Sequence, residues 1–283
     1  MESGELHHKR PRQQQHHGSA RPKPGPHDAA RDAELLASNN PFMPMFLRFR
    51  GELDEHHDRR ERVIKASRDI TALSKKMIFS LQRARKIGAP LPQQLLKEVT
   101  SRHAEINRQL SGIAPDLHEL NAHRYQRNIS GGLQELMEAL AFQHYILTGT
   151  LLSYTGAQKL IPDGIELTVS DYILGIFDFV GEAMRFGITL IALNGAGGDG
   201  GGGDAGKILL DLRRLREEFE ALDTTAGAGV LGKEVEKKMT VMKQCVEKVE
   251  NAVYGVIVRG SEKPKGWVPD LDSQPLQMHS EDD

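Results

Sequence analysis

The feature that most limits what this chain can fold into is the spacing of its apolar residues, which return every three or four positions along most of the length between two polar ends. That period lines up one side of a helix and scatters over both faces of a strand, so it predicts helices and argues against a sandwich or barrel. Phe46, Phe49, Leu53, His56, Arg60, Val63, Ser67, Ile70, Ser74, Met77 and Leu81 form one such seam, interrupted by four polar residues, on a long first helix after Pro44. A second helix is expected from Pro92, suited to a first turn, to about Leu110, before Gly112. A third is expected over residues 116–147 with a break near Gly131-Gly132, and a fourth from a Thr168 or Ser170 cap to about Leu193. Ile208, Leu212, Leu215, Phe219 and Leu222 mark a fifth. Val235, Met239, Met242, Val246, Val249, Val253 and Val256 mark the last, stopped by Arg259-Gly260. Valine is a mediocre helix former, but a 3.5 period does not suit a strand, and period outranks propensity. The predicted fold class is all-α, an antiparallel bundle of six to seven helices.

The ends differ from this middle. Residues 1–33 are rich in His, Arg, Gln, Pro and Gly with almost no large apolar side chains, too few to offset the entropy of folding, and are expected to be disordered. Within them residues 7–12 (HHKRPR) have the makings of a short nuclear-import signal. Residues 267–283 hold five acids and no Lys or Arg, an acidic tail. The expected helical domain is 42–266, with a flexible glycine-rich loop at 194–206. A net charge of -2 provides no global cationic field, so any nucleic-acid contact must be a local patch. The single Cys245 and the polar N-terminus point to the cytoplasm and nucleus. Residues 172–193 are the longest apolar stretch, but Asp178, Glu182 and Arg185 sit near its middle, each costing roughly 2.5–3.5 kcal/mol in a bilayer, so no membrane span is expected.

Two glycine patterns mimic nucleotide motifs. Residues 195–200 fit the dinucleotide glycine spacing, but that fingerprint works between a strand and a helix, and here it follows a helix. Residues 201–207 have phosphate-loop spacing yet continue with Ile208 in place of the Ser or Thr that ligates Mg²⁺. A linker between helices explains both. Asn128-Ile129-Ser130 is a formal glycosylation sequon, expected to be unused without a secretory signal.

Four acids stand out by their surroundings. Glu135 and Glu138 are three apart, Asp178 and Glu182 four apart, so each pair projects from one side of a helix. Residues 136–146 contain only Glu138, Gln143 and His144 as strongly polar side chains, and the helix around Asp178 is apolar almost all round. A carboxylate so placed must be neutralised, paired with a cation or bound to metal. Two interior helices with two acids each can form an all-oxygen site for Mg²⁺ or Mn²⁺, whose natural reaction with a phosphodiester is hydrolysis. A di-iron site is disfavoured, because its Glu-x-x-His spacing places Glu138 after Glu135 and Arg185 after Glu182. The competing explanation is ordinary ion pairing, with Arg185 bridging Glu182 within its helix. His144 suits a satisfied core position better than a ligand. The basic run Arg59, Arg60, Arg62, Lys65, Arg68, Lys75 and Lys76 fits phosphate binding, with Arg59, Arg62, Lys65 and Arg68 as candidate RNA contacts; interleaved acids fit a solvated face equally well.

Residues 171–185 (DYILGIFDFVGEAMR), 132–145 (GLQELMEALAFQHY), 57–71 (HDRRERVIKASRDIT) and 248–265 (KVENAVYGVIVRGSEKPK), in that arrangement over roughly 42–266, closely resemble the translin-associated factor X (Trax) branch of the translin superfamily. The resemblance implies a seven-helix fold that assembles with translin into a closed, hollow hetero-octamer. It implies a Mg²⁺-dependent endoribonuclease cutting single-stranded or nicked RNA, with roles in removing silencing passenger strands and processing tRNA-derived fragments. The family's catalytic acids match Glu135, Glu138, Asp178 and Glu182, positions mostly not acidic in translin itself, and RNA is held largely by translin's basic residues. The glycine-rich loop and the His-rich tail depart from the family pattern. The alternative kept open is a non-catalytic helical scaffold that holds translin or other partners.

Overall fold

The computed structural model describes residues 40–194, 203–222 and 229–260. The expected N-terminal tail, import signal, acidic tail and most of the glycine-rich loop fall outside them. Among the described residues there are seven α-helices and no strand: α1 (Met43–Leu81), α2 (Gln93–Ile113), α3 (Leu120–Thr148), α4 (Tyr154–Gln158), α5 (Val169–Asn194), α6 (Asp204–Glu220) and α7 (Gly229–Gly260). A short 3₁₀ turn, Ala114–Leu117, joins α2 to the approach of α3. The chain forms two compact units, Met1–Arg62 and Val63–Asp283, with the boundary inside α1. No helix of the described residues is long and apolar enough to cross a membrane.

In the first unit the seam of α1 is exposed at Phe46, Phe49 and Leu53, and Phe42 and Met45 beside it also face solvent. In the second unit the same seam is core, with Val63, Ile70, Met77 and Leu81 fully buried. Two of the polar interruptions have structural explanations of different kinds. Ser67 accepts a hydrogen bond from the backbone N–H of Gly132 at 3.1 Å, which stitches α1 to α3. Ser74 is small enough to be enclosed completely.

Helix α5 lies at the centre of the second unit, packed against α3, α6 and α7. Over residues 171–190 Arg185 alone is exposed, as the all-round apolar pattern predicts. Its start is fixed by Thr168, whose hydroxyl accepts from the Asp171 N–H at 3.0 Å and donates to the Asp171 carboxylate at 2.7 Å. Asp171 is only 2% exposed and is held by neutral donors: Gln126 Nε2 at 2.9 Å, Gln134 Nε2 at 3.0 Å and the Ser130 hydroxyl, all from α3. These bonds compensate its desolvation and set the register of α5 along α3.

Below that clamp the two helices approach closely. A Cβ on Gly175 would stand 2.5 Å from Met137 Cβ and 2.8 Å from the Gln134 carbonyl, so only glycine permits this crossing. Around it Phe142 packs edge-on against Phe186 at 5.8 Å, and Tyr145 against Phe179 at 5.5 Å. Each large side chain buried this way contributes on the order of 1.5–3 kcal/mol, enough in aggregate to carry several partly buried acids on the same two helices.

Three expectations need correction. Helix α3 is unbroken at Gly131-Gly132, because Gly132 serves close packing: a Cβ there would meet the Ser67 carbonyl at 2.9 Å. Helix α2 continues through Gly112 to Ile113, since a glycine with nothing around it weakens a helix without ending it. The glycine-rich segment is shorter than 194–206, as Asn194 still belongs to α5 and Asp204 opens α6, where its carboxylate accepts from the Ile87 N–H at 3.0 Å. The apolar seam of α7 belongs to this chain's own core, where Val235, Met242, Val246 and Val249 are buried. Helix α4, too short to show a period, was not anticipated.

The α3–α5 crossing makes a direct prediction. Gly175→Ala must push the helices apart and is expected to lower stability by about 1–3 kcal/mol. Gly181→Ala, where a Cβ meets nothing within 4 Å, is expected to raise stability by about 0.5–1 kcal/mol. Thermal or urea unfolding of the two variants beside wild type checks this, and equal effects would refute the packing argument.

Candidate acidic site

The crossing at Gly175 brings the two acid pairs onto facing sides of α3 and α5. Glu135 and Glu138 come from α3, Asp178 and Glu182 from α5, and the charges of Glu135, Asp178 and Glu182 all act on Glu138. Three of the four have a cation. Lys75 of α1 lies 3.7 Å from Glu135, Lys238 of α7 hydrogen-bonds Asp178, and Arg185 reaches Glu182 at 2.9 Å within α5. The intrahelical bridge expected for Arg185 is therefore present. Glu182, 8% exposed, also receives the Gln82 side-chain amide, whose Nε2 donates to its carboxylate at 2.6 Å and to its backbone carbonyl at 3.0 Å.

Glu138 is the exception, with no hydrogen bond or ion pair among the described residues. Burial pushes its carboxyl up to about 8, helped by the negative charges of Glu135, Asp178 and Glu182 and opposed by Lys238. Glu135 is also raised, first by burial, with Lys75 opposing and Asp178 adding to the rise. With Glu138 held towards its neutral form, the other three carboxylates are matched by two lysines and one arginine, and ionising Glu138 would add a negative charge with no cation of its own. Among the described residues no three His, Cys, Asp or Glu side chains are clustered tightly enough to ligate an ion as they stand. The donor chemistry nevertheless suits a hard divalent cation: all four groups are carboxylates, and two of the three charges now on them are ammonium groups on flexible stems.

Sequence reasoning missed the roles of Gln82, Lys75 and Lys238. Lys75 stood in a mixed-charge run, while Gln82 and Lys238 carry no local signal, because what selects them is proximity across the bundle. His144 bonds Thr150 Oγ1 at 3.2 Å and takes no part. Lys207, the lysine of the phosphate-loop mimic, is committed to Asp211 at 2.6 Å and lies over the Tyr145 ring. Of the candidate RNA contacts, Arg59 pairs with Glu55 and belongs with Arg62 to the first unit, whereas Lys65 and Arg68 are exposed on α1 in the second.

A group whose carboxyl is raised on folding stabilises the protein below its unfolded value of 4.5 and loses that contribution as pH climbs towards about 8. In EDTA, the wild-type thermal midpoint is expected to fall across that window. Glu138→Gln is expected to flatten the fall and to be more stable above it, by on the order of 3 kcal/mol. Parallel pH profiles for the two proteins would contradict the burial argument.

The Translin family model matches residues 58–260. Translin-associated protein X of Rattus norvegicus is 33% identical over 277 residues, covering 89% of this chain and 91% of the relative. The Translin-associated protein X homolog of Schizosaccharomyces pombe is 34% identical over 225 residues, covering 77% of this chain and 89% of the relative. Among solved structures, apo-NeC3PO superposes with a TM-score of 0.58 at 18% identity, over 78% of this chain and 100% of that one. AfC3PO in complex with duplex RNA superposes with a TM-score of 0.55 at 19% identity, over 77% and 100%. At those identities the structures support the all-helical fold alone, whereas the family model and the relatives decide membership: the chain belongs to the translin family, where it is similar to the translin-associated X proteins.

Proposed function

We propose that this chain is the catalytic subunit of a hetero-oligomer, an octamer with translin, and cleaves single-stranded or nicked RNA as a Mg²⁺-dependent endoribonuclease, with Mn²⁺ as a substitute. The observation that supports the proposal most is Glu138 itself, a carboxyl with no cation of its own, raised to about 8 by burial and three flanking acids, so that ionising it calls for an added positive charge. Glu135, Glu138, Asp178 and Glu182 are the groups proposed to hold the ion. When bound, such an ion supplies Lewis acidity at the scissile phosphodiester. The side chains do the rest. Glu138 surrenders its proton as the site loads, so affinity for the cation rises with pH through about 8. Lys75 and Lys238, released from their carboxylates, turn to the phosphates of the substrate, and exposed Lys65 and Arg68 extend that grip along α1. Arg59 and Arg62 are proposed as further backbone contacts. RNA as the substrate class is supported by the AfC3PO complex with duplex RNA, and translin as the partner by the names of the relatives. Passenger strands and tRNA-derived fragments, met in cytoplasm and nucleus, are the proposed substrates.

One observation favours a second reading. Three of the four acids already have cations, which fits a scaffold whose acids are structural ion pairs. The two diverge on chelation. The chain co-purified with translin is expected to cut single-stranded RNA in Mg²⁺ and not in EDTA. Glu138→Ala and Asp178→Ala are expected to lose roughly a hundredfold or more in rate while the assembly persists. Cleavage that survives EDTA would sink the metal reading, and variants that cut at the wild-type rate in an intact assembly would make the acids structural, as the scaffold reading holds.

A further inference from the structure

Gln82 is the first residue after α1, and its place is determined from several sides. Its N–H donates to the Ile78 carbonyl at 3.0 Å, so it continues the hydrogen-bonding of the helix end, and its neighbours Leu81 and Ala84 are buried in the core. From that anchored position its amide nitrogen bridges two atoms of one residue, the Glu182 carboxylate at 2.6 Å and the Glu182 carbonyl at 3.0 Å. The second bond ties Gln82 to the backbone of α5, so the first leaves the Glu182 carboxylate little freedom to turn. These two bonds also orient the amide, because the reversed assignment would set two acceptors against each other. With the nitrogen so used, the amide oxygen Oε1 is buried and has no hydrogen-bond partner in the structure. A buried acceptor left unmatched is costly, and one beside a cluster of carboxylates is the arrangement expected where a ligand supplies the missing donor or positive charge.

We infer that Gln82 is a positioning residue of the acidic site: it holds the Glu182 carboxylate in place through its amide nitrogen and contributes its amide oxygen, a neutral fifth oxygen, to the hydrated divalent cation that the acids bind. The inference rests on the metal reading proposed above and adds a residue from a third helix end to it. Residues that orient ligating carboxylates govern affinity for the ion more than the fold, and an amide is the usual choice where orientation is needed without further negative charge.

The test uses the full chain co-purified with translin, with MgCl₂ as the probe and the thermal midpoint as the readout, alongside RNA cleavage at limiting and saturating Mg²⁺. Gln82→Leu keeps the volume and removes both polar atoms; Gln82→Glu keeps an oxygen but loses the donor. For Gln82→Leu the Mg²⁺ concentration giving half the thermal shift is expected to rise about tenfold, with cleavage impaired at limiting Mg²⁺ and largely restored at saturation. Gln82→Glu is expected to melt below Gln82→Leu in EDTA, from repulsion with Glu182, and to recover in Mg²⁺. A half-saturation for Gln82→Leu within about twofold of wild type overturns the inference, including the case where its EDTA midpoint drops, which would make Gln82 a structural tether. A wild-type complex whose midpoint ignores Mg²⁺ overturns the metal reading and this inference together.

Discussion

The approach of α3 to α5 at Gly175 is the contact on which the rest of the second unit depends. A side chain larger than hydrogen there would collide with Met137 and with the backbone of Gln134, and the residues flanking that collision on α3 are Glu135 and Glu138. The same absence of a Cβ that lets the helices touch therefore sets the spacing between the two acid pairs. Register along the crossing comes from Asp171, whose carboxylate is held by three donors of α3 and capped by Thr168. Packing decides how near the helices lie, and hydrogen bonding decides which residues face each other.

Electrostatics then distributes the cost unevenly. Lys75 from α1, Lys238 from α7 and Arg185 from α5 itself each answer one carboxylate, so three further helix positions are recruited to make the crossing tolerable. Glu138, half-buried on α3 among the other three acids, receives none of them and is driven towards its neutral form. A fold selected for stability alone has a simpler solution, an apolar residue at that position, since buried ionisable groups seldom improve stability over well-packed hydrophobic ones. Retaining an acid that resists ionisation is the pattern expected of a site that acts on something.

The helices were legible because their period is a property of the chain itself. The seam from Val63 to Leu81 and the valine stripe of α7 could be traced before any contact was known, and both are core. The errors came where one residue type has two uses. Glycine at 131 and 132 reads as a break but functions at 132 as the small residue that admits Ser67, and the sequence around it holds no sign of which use applies. The complement of the α7 seam lies within this chain, on α5 and α6, although a heptad pattern looks the same when its complement lies on another chain. The first half of the α1 seam shows the opposite outcome, with Phe46, Phe49 and Leu53 exposed in the unit that contains them.

What the sequence determined by itself is the class of fold and the identity of the acids, because helical period and the oddity of carboxylates in apolar surroundings are both local and survive without coordinates. Only the tertiary structure decided that Lys75 answers Glu135 and Lys238 answers Asp178, that Glu138 has no cation among the described residues, and that Gln82 grips Glu182 from a hundred positions away. Pairing of that kind depends on distances between helices far apart in the chain. Those distances are set by the size of side chains at crossings such as Gly175, and a single residue's surroundings in sequence do not encode them.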